Sequence, residues 1–280
     1  MPTSGWKSLI RFKDSSGEIR YGEPLDTEFS KATIYSGNDV FSLDRTSETA
    51  TVTELLAACE PSAILCIGLN YKDHAIECNF PIPDYPILFL KTPNSLTSAR
   101  APIVIPSSSE QVDYENELCV LTRKDFKNAS LKTLEANLSD YVFAYTVGND
   151  VSARDWQMGA RSGGQFGYAK SYDGFCPVGP ALIPSSEIKD PQNLNIVTKV
   201  NGKTVQDGTT KNMIFTVAQL LEFLSKGRTV QKGTLIMTGT PNGVGMFMKG
   251  GPLWLKKGDV VECEIEKVGL LRNEFVDENN

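Results

Sequence analysis

The chain has 280 residues, 40% of them hydrophobic, and a formal net charge of −6. That is enough apolar material for one substantial core, or for a large domain with a small appendage, and it excludes a disordered chain. An acidic balance with no basic patch offers nothing to neutralise phosphates, so no nucleic-acid partner is expected. Six cysteines, at 59, 66, 78, 119, 176 and 263, form no C-x-x-C pair and no regular spacing. They read as reduced, mostly buried thiols of an intracellular protein. No apolar run approaches the roughly 18 residues of a membrane helix, so no membrane partner is expected. Met1–Phe12 lacks a secretory core and is poor in arginine. A cytoplasmic location is therefore expected ahead of a mitochondrial one.

In chain order, Trp6–Phe12 and Ile19–Tyr21 flank Asp14-Ser15-Ser16-Gly17, which predicts a hairpin. Thr51-Val52-Thr53-Glu54 has the pattern of a capping box before Leu55–Ala58. It predicts a short helix that closes a small N-terminal β unit near Glu60-Pro61. The expected division is 1–60 for this unit and 61–280 for the main domain. Ala63–Ile67 reads as a buried strand breaking at Gly68. If Tyr71–Glu77 is helical, His74 and Glu77 lie one turn apart on one face, spaced for a hydrogen-bonded dyad. His74 is the chain's single histidine, so any imidazole acid–base chemistry must come from it. Asn79–Pro86 is too rich in proline for regular structure and reads as a loop able to act as a lid, ahead of a buried strand at Ile87–Leu90.

The stretch Gln111–Val120 places carboxylates at every second position: Asp113, Glu115 and Glu117. On a strand these share one face, where they would repel one another unless a cation sat among them. A hard divalent ion suits such a set, Mg²⁺ before Mn²⁺ or Ca²⁺. Tyr141–Val147 is again strand-like and ends in Gly148-Asn149-Asp150, ahead of a Ser-x-x-Asp helix start at Ser152. Asp150 at that strand end can supply a further carboxylate. Arg154 and Gln157 are three apart, able to reach together toward a substrate carboxylate or carbonyl. Lys170 follows a glycine-rich loop and, beside a metal, is a candidate for stabilising an enolate.

Asn201-Gly202 predicts a hairpin between Ile196–Val200 and Thr204-Val205. Thr216–Lys226 has a capping box at Thr216 and Gln219, one apolar face and Gly227 at its end, and predicts the clearest helix. Leu235–Met237 runs into Thr238-Gly239-Thr240-Pro241-Asn242-Gly243-Val244-Gly245, which lacks a nucleotide-loop pattern but can offer N–H groups and the Thr240 hydroxyl to an anion. Alternating Val261, Cys263 and Ile265 finish as β-structure, and Asp277–Asn280 reads as a solvated tail.

Together these motifs resemble the fumarylacetoacetate hydrolase family over roughly residues 60 to 276. They are Gly-Leu-Asn-Tyr with His74-Ala-Ile-Glu77, Val112-Asp-Tyr-Glu-Asn-Glu-Leu, Asn149-Asp-Val-Ser-Ala-Arg-Asp-Trp-Gln, Lys170-Ser-Tyr-Asp, Gly179-Pro180 and Thr238-Gly-Thr-Pro-Asn-Gly-Val-Gly. The resemblance implies an α+β, β-dominated fold: a mixed β-roll catalytic domain of that family's type behind the N-terminal β unit. It implies Glu115, Glu117 and Asp150 as ligands of Mg²⁺, with Asp113 outside that set. It further implies that Lys170 and Thr240 contact substrate, that Arg154 and Gln157 orient it, and that His74 and Glu77 act from a lid. The expected substrate is a small 2-oxo acid and the expected assembly a homodimer. Oxaloacetate tautomerisation is the leading expectation; acylpyruvate-type C–C hydrolysis, oxaloacetate decarboxylation and a tailoring step in secondary metabolism are the alternatives.

Overall fold

A computed structural model describes residues 5–278. Strand patterning separates two kinds of sheet. In Val260–Ile265 and Gly269–Asp277 the residues Val261, Cys263, Ile265, Leu271, Asn273 and Phe275 are buried while most of their neighbours are not. That alternation marks strands with one face on a core. Asn116–Thr122, Val142–Asn149 and Cys176–Pro184 are instead buried at every position. They form the centre of a mixed seven-stranded sheet, in the order Ile87–Lys91, Ala63–Gly68, Thr234–Met237, Asn116–Thr122, Val142–Asn149, Cys176–Pro184 and Leu96–Ser98. Two of its six pairings are parallel.

The central strands are buried on both faces because layers cover both. Cys119, Leu121, Ala144 and Val178 pack with Trp6, Leu9 and Tyr35 of the N-terminal unit. Leu118, Val120, Tyr145 and Val147 point the other way, into a core with Ile196, Val261, Leu271 and the helix Val217–Ser225. This second core is closed by a five-stranded sheet in the order Lys203–Thr209, Asn195–Val200, Val260–Ile265, Gly269–Asp277 and Ile103–Ile105. The fold is α+β and β-dominated, with its main sheet curled against the second sheet as a mixed β-roll requires.

The N-terminal residues form their own five-stranded antiparallel sheet, Asp44–Thr51, Lys31–Ser36, Ile19–Pro24, Ile10–Lys13 and Glu54–Leu55. It is joined to the main sheet by reciprocal backbone hydrogen bonds between Leu9 and Leu182. The helix expected at Thr51–Ala58 does not form: this stretch is the end of one strand and a two-residue edge strand. Thr53 N–H and Oγ1–H both donate to Lys13 O, so the hydroxyl caps a sheet edge and not a helix. A four-residue apolar run cannot meet the cost of helix nucleation when a strand edge with open hydrogen bonds lies beside it. The expected C-terminal tail is also shorter: the last strand runs to Asp277, paired with Ile105, and Asn279 and Asn280 lie outside the described residues. The hairpins at 14–17 and 201–202 and the capped helix at 217–225 form as the sequence predicts.

Candidate metal centre and active site

The carboxylates are brought together by two strand pairings. Val112–Asp113 pairs with Ser152–Ala153 in a short ribbon, and Asn116–Thr122 pairs with Val142–Asn149 in the main sheet. Between them Tyr114 and Glu115 leave the strand, and Asp150 N–H donates to Glu115 O at 2.8 Å. Asn149 Oδ1 accepts from Glu115 N–H at 2.9 Å, which fixes the break. Ligand oxygens of Glu115, Glu117 and Asp150 thereby lie within 4.8 Å of one another, all buried. Asp113 is outside this group. Its Oδ1 accepts from Tyr114 and Gly245 N–H and its Oδ2 from Met246 N–H and Arg154 Nε, so it ties the Gly245 loop to the arginine. The three-carboxylate face expected from alternation fails there, because the chain turns out of the ribbon at Tyr114.

Electrostatics distinguish the three. Lys170 Nζ lies 2.8 Å from both Glu115 Oε2 and Asp150 Oδ2. Lys91 Nζ lies 2.8 Å from Asp150 Oδ1, and Arg154 Nη2 lies 2.6 Å from Glu115 Oε1, close charge contacts without hydrogen-bond alignment. Burial pushes the Glu115 carboxyl up, yet Lys170 and Arg154 outweigh it and hold it well below the ordinary carboxylate range. Burial also disfavours the Lys170 ammonium, but Asp150 and Glu115 hold its pKa above the ordinary value. Among the described residues Glu117 has no ion-pair partner within 4.0 Å; Gly239 N–H donates to it at 2.7 Å. Burial first, then Asp150 and Glu115, push its pKa far up. A desolvated carboxylate with no counter-cation, among two others and donors that are all oxygen, fits a divalent ion held by Glu115, Glu117 and Asp150.

Facing these groups is the helix Lys72–Glu77. His74 Nδ1 is 3.0 Å from Glu77 Oε2, and Glu77 Oε1 accepts from Gly243 N–H at 2.8 Å. The dyad is thus anchored to the Thr238–Gly245 turn. Gly243 has φ +95°, and a Cβ there would lie 2.1 Å from Val205 O, so only glycine brings that N–H to Glu77. Thr240 Oγ1 accepts from Gln206 Nε2 at 2.9 Å, which leaves its own proton free to donate. Arg154 Nη1 donates to Gln157 Oε1 at 2.7 Å, so this pair holds itself in place. One cavity of ≈ 130 Å³ touches Glu115, Glu117, Lys170, Arg154, Gln157, Thr240 and His74. Its other end is apolar, with Phe80, Ile87, Phe89 and Phe166.

Of the residues singled out from the sequence as site residues, Glu77 and Asp150 are not in the cavity wall: Glu77 stands behind His74, and Asp150 lies behind Lys170. The helix after Asp150 starts at Arg154 with Ala153 as an uncapped N-terminus, and Ser152 Oγ–H donates back to Asp150 O. Lys91 was not singled out. Its side chain is fully buried, and its ammonium donates to Val151 O, Phe175 O and Lys170 O besides touching Asp150. A lysine closing the apolar run Ile87–Leu90 was the available signal.

Residues 63–276 match the family described as fumarylacetoacetate (FAA) hydrolase C-terminal. The human protein named oxaloacetate tautomerase FAHD2A, mitochondrial, is 44% identical over 80% of this chain and 70% of its own length. Its counterpart named fahd2 in Xenopus laevis is 42% identical over 88% of this chain and 74% of its own. The solved structure of a 2-hydroxyhepta-2,4-diene-1,7-dioate isomerase from Mycobacterium marinum superposes with TM-score 0.81 at 31% identity, covering 98% of this chain and all of that one. The chain belongs to the fumarylacetoacetate hydrolase family of enzymes.

Proposed function

We propose that this chain is an oxaloacetate keto–enol tautomerase dependent on a divalent metal. What carries the proposal is the shared cavity, with Glu115 and Glu117 of the carboxylate trio and Lys170 on one side and His74, backed by Glu77, on the other. At ≈ 130 Å³ it is far below the ~300–1,000 Å³ of drug-sized sites, which suits a four-carbon acid. The relatives named oxaloacetate tautomerases, at 42–44% identity, support the same substrate. The oxygen-only donor set favours Mg²⁺, with Mn²⁺ or Ca²⁺ able to substitute. A divalent ion at Glu115, Glu117 and Asp150 supplies Lewis-acid polarisation of a 2-oxo group.

The remaining steps belong to the chain. Lys170 brings a buried positive charge to the enolate, in surroundings where such charge acts strongly. Thr240 Oγ–H and the Arg154–Gln157 pair orient the acid's carboxylate. His74, with Nδ1 bound to Glu77, uses Nε2 to take the C3 proton. The ketone re-forms when C3 regains a proton, and the enol forms when the enolate oxygen takes one.

A second reading, hydrolysis of a C–C bond in an acylpyruvate, is favoured by the apolar end at Phe80, Ile87, Phe89 and Phe166, which suits an acyl group. The test is a panel of oxaloacetate, acetylpyruvate and fumarylpyruvate, with enol absorbance and product acids followed separately. Enol decay of oxaloacetate without release of smaller acids supports the tautomerase. Stoichiometric pyruvate from acetylpyruvate with no effect on oxaloacetate enol overturns it.

We further propose a two-fold homodimer, since the aromatic run Trp156, Tyr168, Tyr172 and Phe175 carries Tyr168, which is 62% exposed, at the surface. A light-scattering mass of twice 30.7 kDa is expected. The family match beginning at residue 63 supports a boundary near 60 between a small N-terminal unit and the catalytic domain. No helix among the described residues is long and apolar enough to cross a membrane. Six unpaired cysteines suit a reducing compartment, the cytosol or the mitochondrial matrix, which cell fractionation separates.

A further inference from the structure

We propose that His74, Glu77 and Cys78 form a second metal site, one that captures a borderline-soft divalent ion, Zn²⁺ above all, and that its occupation arrests the enzyme. The three residues lie at i, i+3 and i+4 along the helix Lys72–Glu77 and its C-terminal cap, so their side chains share one face. His74 Nδ1 is 3.0 Å from Glu77 Oε2, and Cys78 Sγ is 3.6 Å from His74 Nδ1 and 3.7 Å from Nε2. One donor atom from each lies within 4.8 Å of the others. Tetrahedral zinc, with bonds of about 2.0–2.3 Å, sets its donor atoms about 3.3–3.8 Å apart, so small side-chain rotations complete the shell. His74 and Cys78 both border the cavity, which leaves the fourth position to water.

Donor chemistry separates this site from the carboxylate trio. Imidazole nitrogen and thiolate sulfur select zinc over magnesium, while three carboxylates suit the harder ion. Cys78 is also the one cysteine of the six that is not fully enclosed; the other five lie in the two cores. Burial pushes its thiol up to about 12, so it is neutral in the metal-free protein and exchanges its proton for the ion on capture. Capture binds the imidazole through Nδ1 and takes Glu77 Oε2 from it, while Oε1 can stay on Gly243 N–H. The arrest, though not the binding, rests on the reading of His74 as the proton carrier.

The test uses the full chain saturated with Mg²⁺, which fills the carboxylate trio first. Added Co²⁺ should give a near-ultraviolet thiolate-to-cobalt charge-transfer band that saturates at one ion per chain and is bleached by Zn²⁺. Cys78→Ser should abolish the band while its thermal stability and Mg²⁺ response match the parent. Turnover of the parent should fall with micromolar free Zn²⁺ and recover with a chelator. Relative to its own zinc-free rate, Cys78→Ser should need at least tenfold more zinc for the same loss. Absence of the band in the parent, or its persistence in Cys78→Ser, overturns the site. Equal zinc sensitivity of the two proteins overturns it as well, since zinc would then act at the carboxylates. A band lost in Cys78→Ser without zinc inhibition of the parent upholds the site and instead overturns proton transfer by His74.

Discussion

The cavity has two walls built on opposite principles. The carboxylate wall stands on fully buried sheet strands, and three carboxylates there, Asp113, Glu115 and Asp150, meet three buried cations, Lys91, Arg154 and Lys170. The dyad wall is one short helix, Lys72–Glu77, whose N-cap Tyr71 makes no side-chain bond. It is followed by an irregular, largely exposed stretch to Pro86. A six-residue helix is marginal by itself, so this one is held by tertiary hydrogen bonds: Asn212 Nδ2 to Asp73, and Gly243 N–H to Glu77. The contrast teaches a division of labour. Charge that must be held without reorganisation sits on the sheet wall, and the residue proposed as proton carrier sits on the short helix facing it.

The largest expected effect follows from the one unmatched charge. Glu117→Gln keeps the shape of the wall and removes a carboxylate that no cation balances. Turnover and the Mg²⁺-induced rise in melting temperature should vanish together. The pH response of the metal-free protein adds a second readout. Because the Glu117 pKa is raised in the folded state, its contribution to stability is fully present below the ordinary carboxylate range. It is lost as pH rises through the raised value. The metal-free parent should therefore weaken toward neutral pH more than Glu117→Gln does, measured by urea melts from pH 4 to 8. A variant that still gains stability from Mg²⁺ would sink the ligand assignment.

On the other wall, His74→Ala should leave substrate-analogue binding intact and lower turnover by about 10²–10⁴-fold, the usual loss when general acid–base help is removed. Calorimetry with oxalate and the substrate panel read the two quantities separately. Full turnover in this variant would make the dyad structural and leave the carboxylate wall to do the chemistry alone.

Next in size is Lys91→Met, which strips a buried ammonium from Asp150 and from three backbone carbonyls. Removing one partner of a buried ion pair costs about 3–5 kcal/mol. The metal-free variant should unfold at distinctly lower urea, and Mg²⁺ should restore part of the difference by replacing the lost positive charge. Equal urea midpoints for parent and variant without metal would show that Lys91 does not anchor this wall.

These two walls were unequally legible in the sequence. Glu115, Glu117 and the strand-end Asp150 stood out because local spacing carries the signal: an E-x-E pattern and an Asn-Asp at the end of an apolar run. His74 and Glu77 were equally local, one helical turn apart. Lys91 gave only the weak signal of a lysine closing an apolar run, because its meaning comes from carbonyls at 151, 170 and 175, which only the closed fold gathers around one ammonium. Strand alternation by itself puts Asp113 on the carboxylate face because it assumes an unbroken strand, which the Asn149 side chain breaks at Glu115; only the family resemblance sets Asp113 outside the ligands, where the structure has it. The helix expected near Thr51 failed for a related reason. Its capping signal was real, but the edge of Ile10–Lys13 offered Thr53 and Leu55 better partners.

The smallest effects compare the dyad helix with Val217–Ser225, which has everything the former lacks. Thr216 and Gln219 close both arms of a capping box, and Val217, Leu220, Leu221 and Leu224 bury one face. Thr216→Ala should cost about 1 kcal/mol, the usual value of an N-cap, and lower the melting temperature by about 2 °C. Turnover should not change, because that helix packs on the core away from the cavity. Asn212→Ala removes the tie to Asp73 at the start of the dyad helix, and nothing in the core moves with it. It should lower kcat while leaving the melting temperature within the error of the measurement, since local order of a marginal helix hardly enters global stability. Hydrogen exchange at the amides of Ala75 and Cys78, which donate to Tyr71 O and His74 O, reads that loosening directly. Faster exchange there in Asn212→Ala, and not in Thr216→Ala, is the expected pair of results; the same rates in both would mean that the dyad wall is as rigid as the sheet facing it.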